Sequence, residues 1–209
     1  MNIQDKRNNL IFGEKTILLC GKPFIREIFC DTTFFISTTN FFQVNTKLAE
    51  HAVKSIINWF KKDNSITHIL DCYCGIGTIS LPLAKSGYQI TGIEINKESV
   101  KQAIFNAKSN NLDNVTFHCG DVTNNSLLLN YQYQGLVIDP PRKGLAEDLI
   151  RQILSLNFRK IVYLSCNPST LARDLNMLCE KYSIESVQPF DFFPQTTHIE
   201  CLAFLTSNF

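Results

Sequence analysis

From about residue 66 to the end of the chain, two patterns of hydrophobic and polar positions alternate. Short runs rich in Ile, Val, Leu and Tyr are typical of buried strands, and between them lie segments whose apolar positions recur at helical spacing. Strands that alternate with helices predict a mostly parallel sheet covered by helices on both faces. The predicted strands are 68–72, 89–95, 115–119, 135–139, 160–165, 184–190 and 199–206, and the predicted helices are 78–85, 97–110, 147–154 and 170–181.

Two regions depart from this alternation. The last two predicted strands follow each other without a helix between them, which indicates an antiparallel pair at the edge of the sheet. Ahead of the sheet, residues 16–20, 24–30 and 33–37 have the pattern of short strands in a small antiparallel β appendage, and a helix follows. We therefore predict an α/β fold with a seven-stranded, mostly parallel, Rossmann-like sheet in residues 46–209, preceded in residues 1–45 by a polar tail and the appendage.

The composition is that of an ordinary soluble globular protein. The 209 residues are 44% hydrophobic and 19% charged, which is enough for one sizeable core. The formal net charge of +1 provides no overall basic field, so a polyanionic partner would have to be bound by a local patch of Lys and Arg. No apolar run approaches the length of a membrane span and the first nine residues are too polar for a signal peptide, so we expect no membrane association.

Eight cysteines raise the question of disulfide bonds or a metal centre. Their spacings contain no paired CxxC motif and no Cys/His series of the kind that binds zinc or an iron–sulfur cluster. We therefore expect no bound metal, and free thiols in a reducing cytoplasm.

The first predicted strand ends in a glycine-containing turn, from Asp71 to Thr78, that leads into a helix. Glycines let the backbone turn tightly and approach a ligand, although one short GxG is weak evidence. Glu94 ends the second strand, where a carboxylate can accept both ribose hydroxyls of a nucleoside, and Asp121 follows the third, where it can accept an adenine amino group. Each acidic residue alone could simply be a helix cap or a solvated strand end, but three at successive strand ends on one side of the sheet favour a ligand site. No glycine-rich pyrophosphate fingerprint accompanies Glu94, and a carboxylate at Asp71 would repel a pyrophosphate, so the pattern favours a nucleoside with an amino acid arm, such as S-adenosylmethionine.

The fourth and fifth strands end in two further motifs. Asp139 opens a rigid Asp-Pro-Pro segment and can bind a polar group of the cofactor or of a target base. Enzymes that methylate exocyclic amines have a related loop with an aromatic residue in the place of Arg142, so this chain departs from their pattern. Cys166 directly follows the fifth strand, before an Asn-Pro turn and the Ser169-Thr170 pair that we expect to cap the next helix. A lone cysteine there is most simply a small core residue.

Taken in order, the motifs resemble those of the RNA uracil-C5 methyltransferases, the enzymes that make 5-methyluridine in bacterial ribosomal RNA and tRNA. The resemblance extends from about residue 12 to the end, and five motifs in the right order are far more specific than any one. The segments that carry it are Phe-Phe-Gln-Val-Asn (41–45), Asp-Cys-Tyr-Cys-Gly-Ile-Gly (71–77), Asp-Pro-Pro-Arg-Lys-Gly (139–144), Ser-Cys-Asn-Pro-Ser-Thr-Leu-Ala-Arg-Asp (165–174) and Phe-Pro-Gln-Thr-Thr-His-Ile-Glu (193–200).

The resemblance implies a methyltransferase domain in residues 46–209 and a role for each matching residue. Cys166 is the nucleophile that adds to C6 of uracil, and Glu200 is the base that removes the C5 proton. Phe41 or Phe42 stacks on a flipped uracil, with Arg142 also on the substrate side. The cofactor-binding positions are Gln43, Tyr73, Thr78, Glu94, Asp121 and Asp139, of which Thr78 and Asp121 match the family pattern less closely.

Two other functions remain open on the sequence alone. One is a shortened, non-catalytic relative that binds cofactor or RNA and acts with a partner chain; full family members carry further residues at the amino end, with RNA-recognition elements and sometimes an iron–sulfur cluster. This chain has no upstream cysteine run, so we predict no cluster. The other is an amine or protein methyltransferase on the same fold, which leaves Cys166 and Glu200 without a role.

Overall fold

The computed structural model describes residues 2–3, 15–124 and 133–209. The elements are β1 (Asn2–Ile3), β2 (Lys15–Thr16), β3 (Phe24–Phe29), β4 (Thr32–Ser37), α1 (Thr46–Phe60), β5 (His68–Cys72), α2 (Ser80–Lys85), β6 (Gln89–Glu94), α3 (Lys97–Ser109), β7 (Val115–Cys119), a short 3-10 helix (Val122–Asn124), β8 (Gly135–Ile138), α4 (Glu147–Ser155), β9 (Lys160–Ser165), α5 (Pro168–Leu178), β10 (Tyr182–Phe190) and β11 (Glu200–Ser207).

The main sheet has seven strands in the order β10-β11-β9-β8-β5-β6-β7. The pairs among β9, β8, β5, β6 and β7 are parallel, whereas β11 is antiparallel to both of its neighbours. The predicted seven-stranded, mostly parallel sheet with an antiparallel pair at its edge is thus confirmed. Because β11 alone runs in the opposite direction, it begins at the edge of the sheet where the other strands end.

Alternation along the buried strands explains why helices cover both faces. In β9, Val162 and Leu164 contact the core layer that also contains α1, α2 and α3, while Ile161 and Tyr163 contact the layer with α4 and α5. Every residue of β9 is buried, as expected for a strand with a core on each side. Burial of each large apolar side chain contributes about 1.5–3 kcal/mol, so these two layers hold the strand ends in fixed positions.

The β3–β4 hairpin of the predicted appendage packs onto the main sheet domain. Phe29 and Phe34 belong to the same core layer as α1. On the free edge of β4, the backbone N–H groups of Thr33 and Phe35 donate to the side-chain oxygens of Asn110 and Asn106 on α3, each at 2.9 Å. The hairpin therefore shares a core with the sheet, and the domain boundary between residues 45 and 46 stays a prediction.

Two sequence-based expectations about local structure are wrong. The strand expected over 16–20 ends at Thr16, where β2 pairs with Asn2–Ile3; Leu18 and Leu19 are 54% and 71% exposed and so gain little from a sheet. The helix after Cys166 starts at Pro168, and its cap is Asn167, whose side chain accepts from the backbone N–H of Ser169. Proline suits the first helical turn because its missing N–H would have no intrahelical partner there.

No helix in the described ranges combines the length and the apolar character needed to cross a membrane. All eight cysteines are free thiols.

Candidate active site

A cavity of about 610 Å³ opens at the edge of the sheet where the parallel strands end. Open α/β sheets bind ligands at this edge, since the loops that leave neighbouring strands meet there. Nine of the eleven site residues predicted from the sequence line this one cavity: Phe41, Gln43, Tyr73, Thr78, Glu94, Asp121, Asp139, Cys166 and Glu200.

The two remaining predicted residues, Phe42 and Arg142, lie elsewhere. Phe42 packs against Phe29 and Phe34 with ring centroids 5.6 and 5.7 Å apart, so its partly buried ring lies against the core and does not line the cavity. Its neighbour Phe41 is 69% exposed and lines the cavity, which makes it the ring available for stacking. Arg142 is exposed beside the cavity, with its Nη2 3.4 Å from Nε2 of His198.

The glycine turn after β5 shapes one wall of the cavity. Gly75 and Gly77 have positive φ angles of 56° and 89°, and Tyr73 between β5 and this pair has a φ of 65°, which is strained for a residue with a side chain. The Gly75 N–H donates to Oε2 of Glu94 at 3.1 Å, and the Asn96 N–H donates to Oε1 of Glu94 at 2.7 Å. Two backbone donors therefore orient the Glu94 carboxylate at the cavity wall.

Gln43 provides an independent sign that the cavity is built for a ligand. Its Oε1 is buried without a hydrogen-bond partner, and Gln43 lines the cavity. An unsatisfied buried acceptor costs about 1–3 kcal/mol, so a ligand that supplies a donor there gains that energy on binding. The amino group of an S-adenosylmethionine arm is such a donor, so this residue fits the predicted cofactor.

Asp71 does not play the part that the sequence suggested. It is buried beneath the turn, accepts a hydrogen bond from the Ser80 hydroxyl and does not line the cavity. Burial raises the pKa of its carboxyl to about 7. The expectation that Asp71 would repel a pyrophosphate in the cavity is therefore wrong, and the preference for a nucleoside rests on Glu94 and Asp121, both of which face the cavity.

Cys166 and Glu200 become neighbours through the reversed direction of β11. Cys201 pairs with Ser165, so Glu200 and Cys166, one residue further on each strand, meet at the cavity edge. Burial raises the pKa of the Glu200 carboxyl, while the Arg142 guanidinium lowers it. Burial also raises the pKa of the Cys166 thiol, and the negative charges of Glu200 and Asp139 raise it further, whereas Arg142 lowers it.

Asp139 completes this group of interacting charges. Burial raises the pKa of its carboxyl to about 8, with a further rise from the negative charges of Glu200, Asp71 and Glu94. The raised pKa favours the protonated form of Asp139 at neutral pH, in which it can donate a hydrogen bond, while Glu200 can accept one when ionised. A thiol, a proton donor and a carboxylate next to one another can carry out nucleophilic addition coupled to proton transfer.

We expect Glu200→Gln and Arg142→Ala to shift the pH dependence of Cys166 alkylation in opposite directions. Loss of the Glu200 charge lowers the pKa of the thiol and moves the profile to lower pH, whereas loss of the Arg142 charge raises that pKa and moves it to higher pH. Asp139→Asn should act like Glu200→Gln only above about pH 8, where the Asp139 carboxyl is ionised. Peptide-resolved mass spectrometry of iodoacetamide labelling measures this, since exposed Cys20, Cys119 and Cys179 also react. Equal profiles for all variants would contradict the geometry.

No group of three or more His, Cys, Asp or Glu able to hold a metal ion occurs within residues 2–3, 15–124 and 133–209.

Comparisons with known proteins fit this geometry. The family model of tRNA (Uracil-5-)-methyltransferase matches residues 24–119 and 122–208. An uncharacterized RNA methyltransferase of Prochlorococcus marinus is 49% identical over 206 residues, which are 98% of this chain and 49% of that protein. One from Enterococcus faecalis is 44% identical over 212 residues, covering 98% of this chain and 46% of that protein. The chain thus spans about half the length of the curated relatives that it matches.

Solved structures agree with the sequence relatives. The tRNA (uracil-54, C5)-methyltransferase of Pyrococcus abyssi, in complex with S-adenosyl-L-homocysteine, superposes with a TM-score of 0.86 at 32% identity, covering 98% of this chain and 50% of that one. Magnesium protoporphyrin IX methyltransferase of Synechocystis matches with a TM-score of 0.60 at 18% identity over 80% of this chain and 86% of that one, which shows the shared methyltransferase fold alone. Because the family model covers most of its length, the chain belongs to the tRNA (uracil-5-)-methyltransferase family, as its sequence motifs predicted.

Proposed function

We propose that this chain transfers a methyl group from S-adenosylmethionine to C5 of a specific uridine in ribosomal RNA or tRNA, through a covalent bond between Cys166 and C6 of the base. The observation that carries the proposal is the meeting of Cys166 with Glu200 in the same cavity as the glycine turn. The family membership and the motifs support the same reaction class.

The cofactor is proposed to lie along the glycine turn. Glu94, oriented by two backbone N–H groups, accepts the ribose hydroxyls, and Asp121 accepts the adenine amino group. Gln43 accepts a hydrogen bond from the amino acid arm. When bound, the cofactor supplies an electrophilic methyl group. S-adenosyl-L-homocysteine in the Pyrococcus abyssi relative supports this choice of ligand.

The reaction on the base follows from the charges around Cys166. C5 of uracil is a poor nucleophile, so the Cys166 thiolate first forms a bond to C6, which moves the C5–C6 π electrons onto the C5–C4–O4 enolate. Protonated Asp139 can donate a hydrogen bond to the base as this negative charge develops. After C5 has gained the methyl group, Glu200 removes the C5 proton; the electrons of that C–H bond re-form the double bond and release the thiolate.

The substrate must present an unpaired uridine. C6 is inaccessible inside a stacked helix, so the base has to be single-stranded or flipped out. Phe41, exposed at the cavity, provides a ring on which the base can stack, and Arg142 provides a positive charge on the same side. The free cysteines support a reducing compartment such as the cytoplasm.

Methyl transfer with a deuterated methyl donor tests the proposal. The full chain is incubated with labelled S-adenosylmethionine and unmodified ribosomal RNA or tRNA transcripts, which are then digested to nucleosides for mass spectrometry. We expect labelled 5-methyluridine. Label on an exocyclic amine would overturn the proposal in favour of amine methylation, and cofactor binding by calorimetry without labelled product would favour a non-catalytic binding module.

A further inference from the structure

The segment that follows Cys166 is hydrogen-bonded to the loop that follows Asp139. The side-chain amide of Asn167 donates to the backbone oxygen of Arg142 at 3.1 Å, and the hydroxyl of Thr170 is shared between this oxygen at 3.3 Å and the backbone oxygen of Asn167 at 3.1 Å. Both donors lie at the start of α5, which begins beside Cys166. The helix therefore holds the backbone of Arg142, whose charge lowers the pKa of the Cys166 thiol.

A second attachment lies one turn further along α5, at Asp174. This carboxylate is fully buried, and its Oδ2 accepts the Leu145 N–H at 2.8 Å and the Tyr163 hydroxyl at 2.7 Å. Its Oδ1 pairs with the guanidinium of Arg173 at 2.7 Å. Asp174 therefore joins the loop to both α5 and β9, the strand that Cys166 directly follows.

Arg173 extends this attachment along the loop. Its Nη2 donates to the backbone oxygens of Lys143 and Leu145, each at 3.1 Å. Between them, Gly144 has a φ of +72°, and a Cβ there would lie 2.6 Å from Oδ2 of Asp174 and 2.8 Å from Nη2 of Arg173. Only glycine allows the loop to lie this close to the ion pair.

We propose that Asn167, Thr170, Arg173 and Asp174, here called the loop clamp, are positioning residues that fix Arg142 relative to Cys166. This inference rests on the proposed function. The hydrogen bonds of the loop-clamp side chains converge on one loop, at residues 142–145, and this loop begins with Arg142, whose charge acts on the thiol. Desolvation of the buried Asp174 carboxylate offsets its attraction to the half-exposed Arg173, so the pair is weak evidence for stability, and its contacts with the loop indicate a role in geometry.

Three variants and two readouts test the loop clamp. Asp174→Asn removes the charge that holds Arg173, and Gly144→Ala pushes the loop off the ion pair without altering any charge. Tyr163→Phe is the matched control, because it removes a hydrogen bond to the same carboxylate but leaves every bond to the loop. The readouts are the rate of adduct formation with 5-fluorouridine-containing RNA and cofactor, and the pH profile of Cys166 alkylation without RNA.

We expect Asp174→Asn and Gly144→Ala to slow adduct formation by about 10- to 100-fold, as a misplacement near 1 Å does in other enzymes. Both should move the alkylation profile to higher pH, as Arg142→Ala does, because the guanidinium has shifted away from the thiol. Tyr163→Phe should lower the melting temperature while keeping the wild-type profile. If Asp174→Asn does not fold, Arg173→Gln replaces it, since Arg173 is half exposed.

Wild-type profiles and rates in both loop variants would overturn the loop clamp, and so would a shift in Tyr163→Phe as large as that in Asp174→Asn. If the wild-type chain forms no adduct, the proposed function fails, while the alkylation profiles still decide whether the loop clamp sets the position of Arg142.

Discussion

Replacing Cys166 by alanine should reduce methyl transfer to RNA by roughly 10⁴-fold or more, the scale seen when a covalent nucleophile is removed from an enzyme. Without the Sγ–C6 bond, C5 of uracil stays a poor nucleophile, and the remaining cavity residues have no other means of activating it. Cofactor binding should persist, because Glu94, Asp121 and Gln43 line the cavity from other segments of the chain. The measurement is labelled 5-methyluridine per mole of enzyme, with cofactor affinity by calorimetry.

Cys179→Ala is the matched control for this loss. Cys179 directly follows helix α5, the helix that begins just after Cys166. It is exposed and lies outside the cavity. It should keep wild-type turnover. Substantial methylation by the Cys166 variant would contradict covalent catalysis, and equal losses in both variants would indicate that helix α5 as a whole is disturbed.

Glu200→Gln should separate the two halves of the reaction. The amide cannot accept the C5 proton, so we expect turnover to fall by about 10²- to 10⁴-fold, the usual contribution of a general base. Addition of Cys166 should still occur, because removal of the neighbouring negative charge lowers the pKa of the thiol. The methylated RNA should therefore accumulate as a covalent complex with the protein, visible as a band that survives denaturing electrophoresis.

Glu185→Gln serves as the control, because Glu185 is an exposed carboxylate on the adjacent strand β10, away from the cavity. Normal turnover without trapped complex is expected for it. Normal turnover by Glu200→Gln itself would remove Glu200 from the base role and leave its buried carboxylate without a function.

Most of the fold and the cavity could be predicted because both depend on local patterns. The wholly buried run of β9 and the helical spacing of α3 identify the elements, and parallel strands bring their terminal residues, from Glu94 to Cys166, to a single edge. The motif resemblance added Glu200, which no periodicity identifies. Its approach to Cys166 depends on β11 running against its neighbours between β9 and β10.

What the sequence missed depends on side-chain direction and on contacts distant along the chain. Phe41 and Phe42 are adjacent in sequence, yet one lines the cavity and the other packs on Phe29, a difference that only tertiary packing decides. Asp71 carries an ionisable group near the turn but faces the core. The contacts of Arg173 and Asp174 with the 142–145 loop join residues some thirty positions apart. The sequence motif therefore identified Arg173 and Asp174 but not the loop residues that they contact.

The most direct test of the central claim is to incubate the wild-type chain with S-adenosylmethionine and RNA that contains 5-fluorouridine, and to map the cross-linked peptide by mass spectrometry. Fluorine at C5 cannot be removed as a proton, so the base should stay bonded to the enzyme after methyl transfer. We predict one adduct, on Cys166, that carries a methylated fluorouridine and disappears in Cys166→Ala. An adduct on another cysteine, or methylation of ordinary uridine at C5 with no adduct on the fluorinated RNA, would contradict the account.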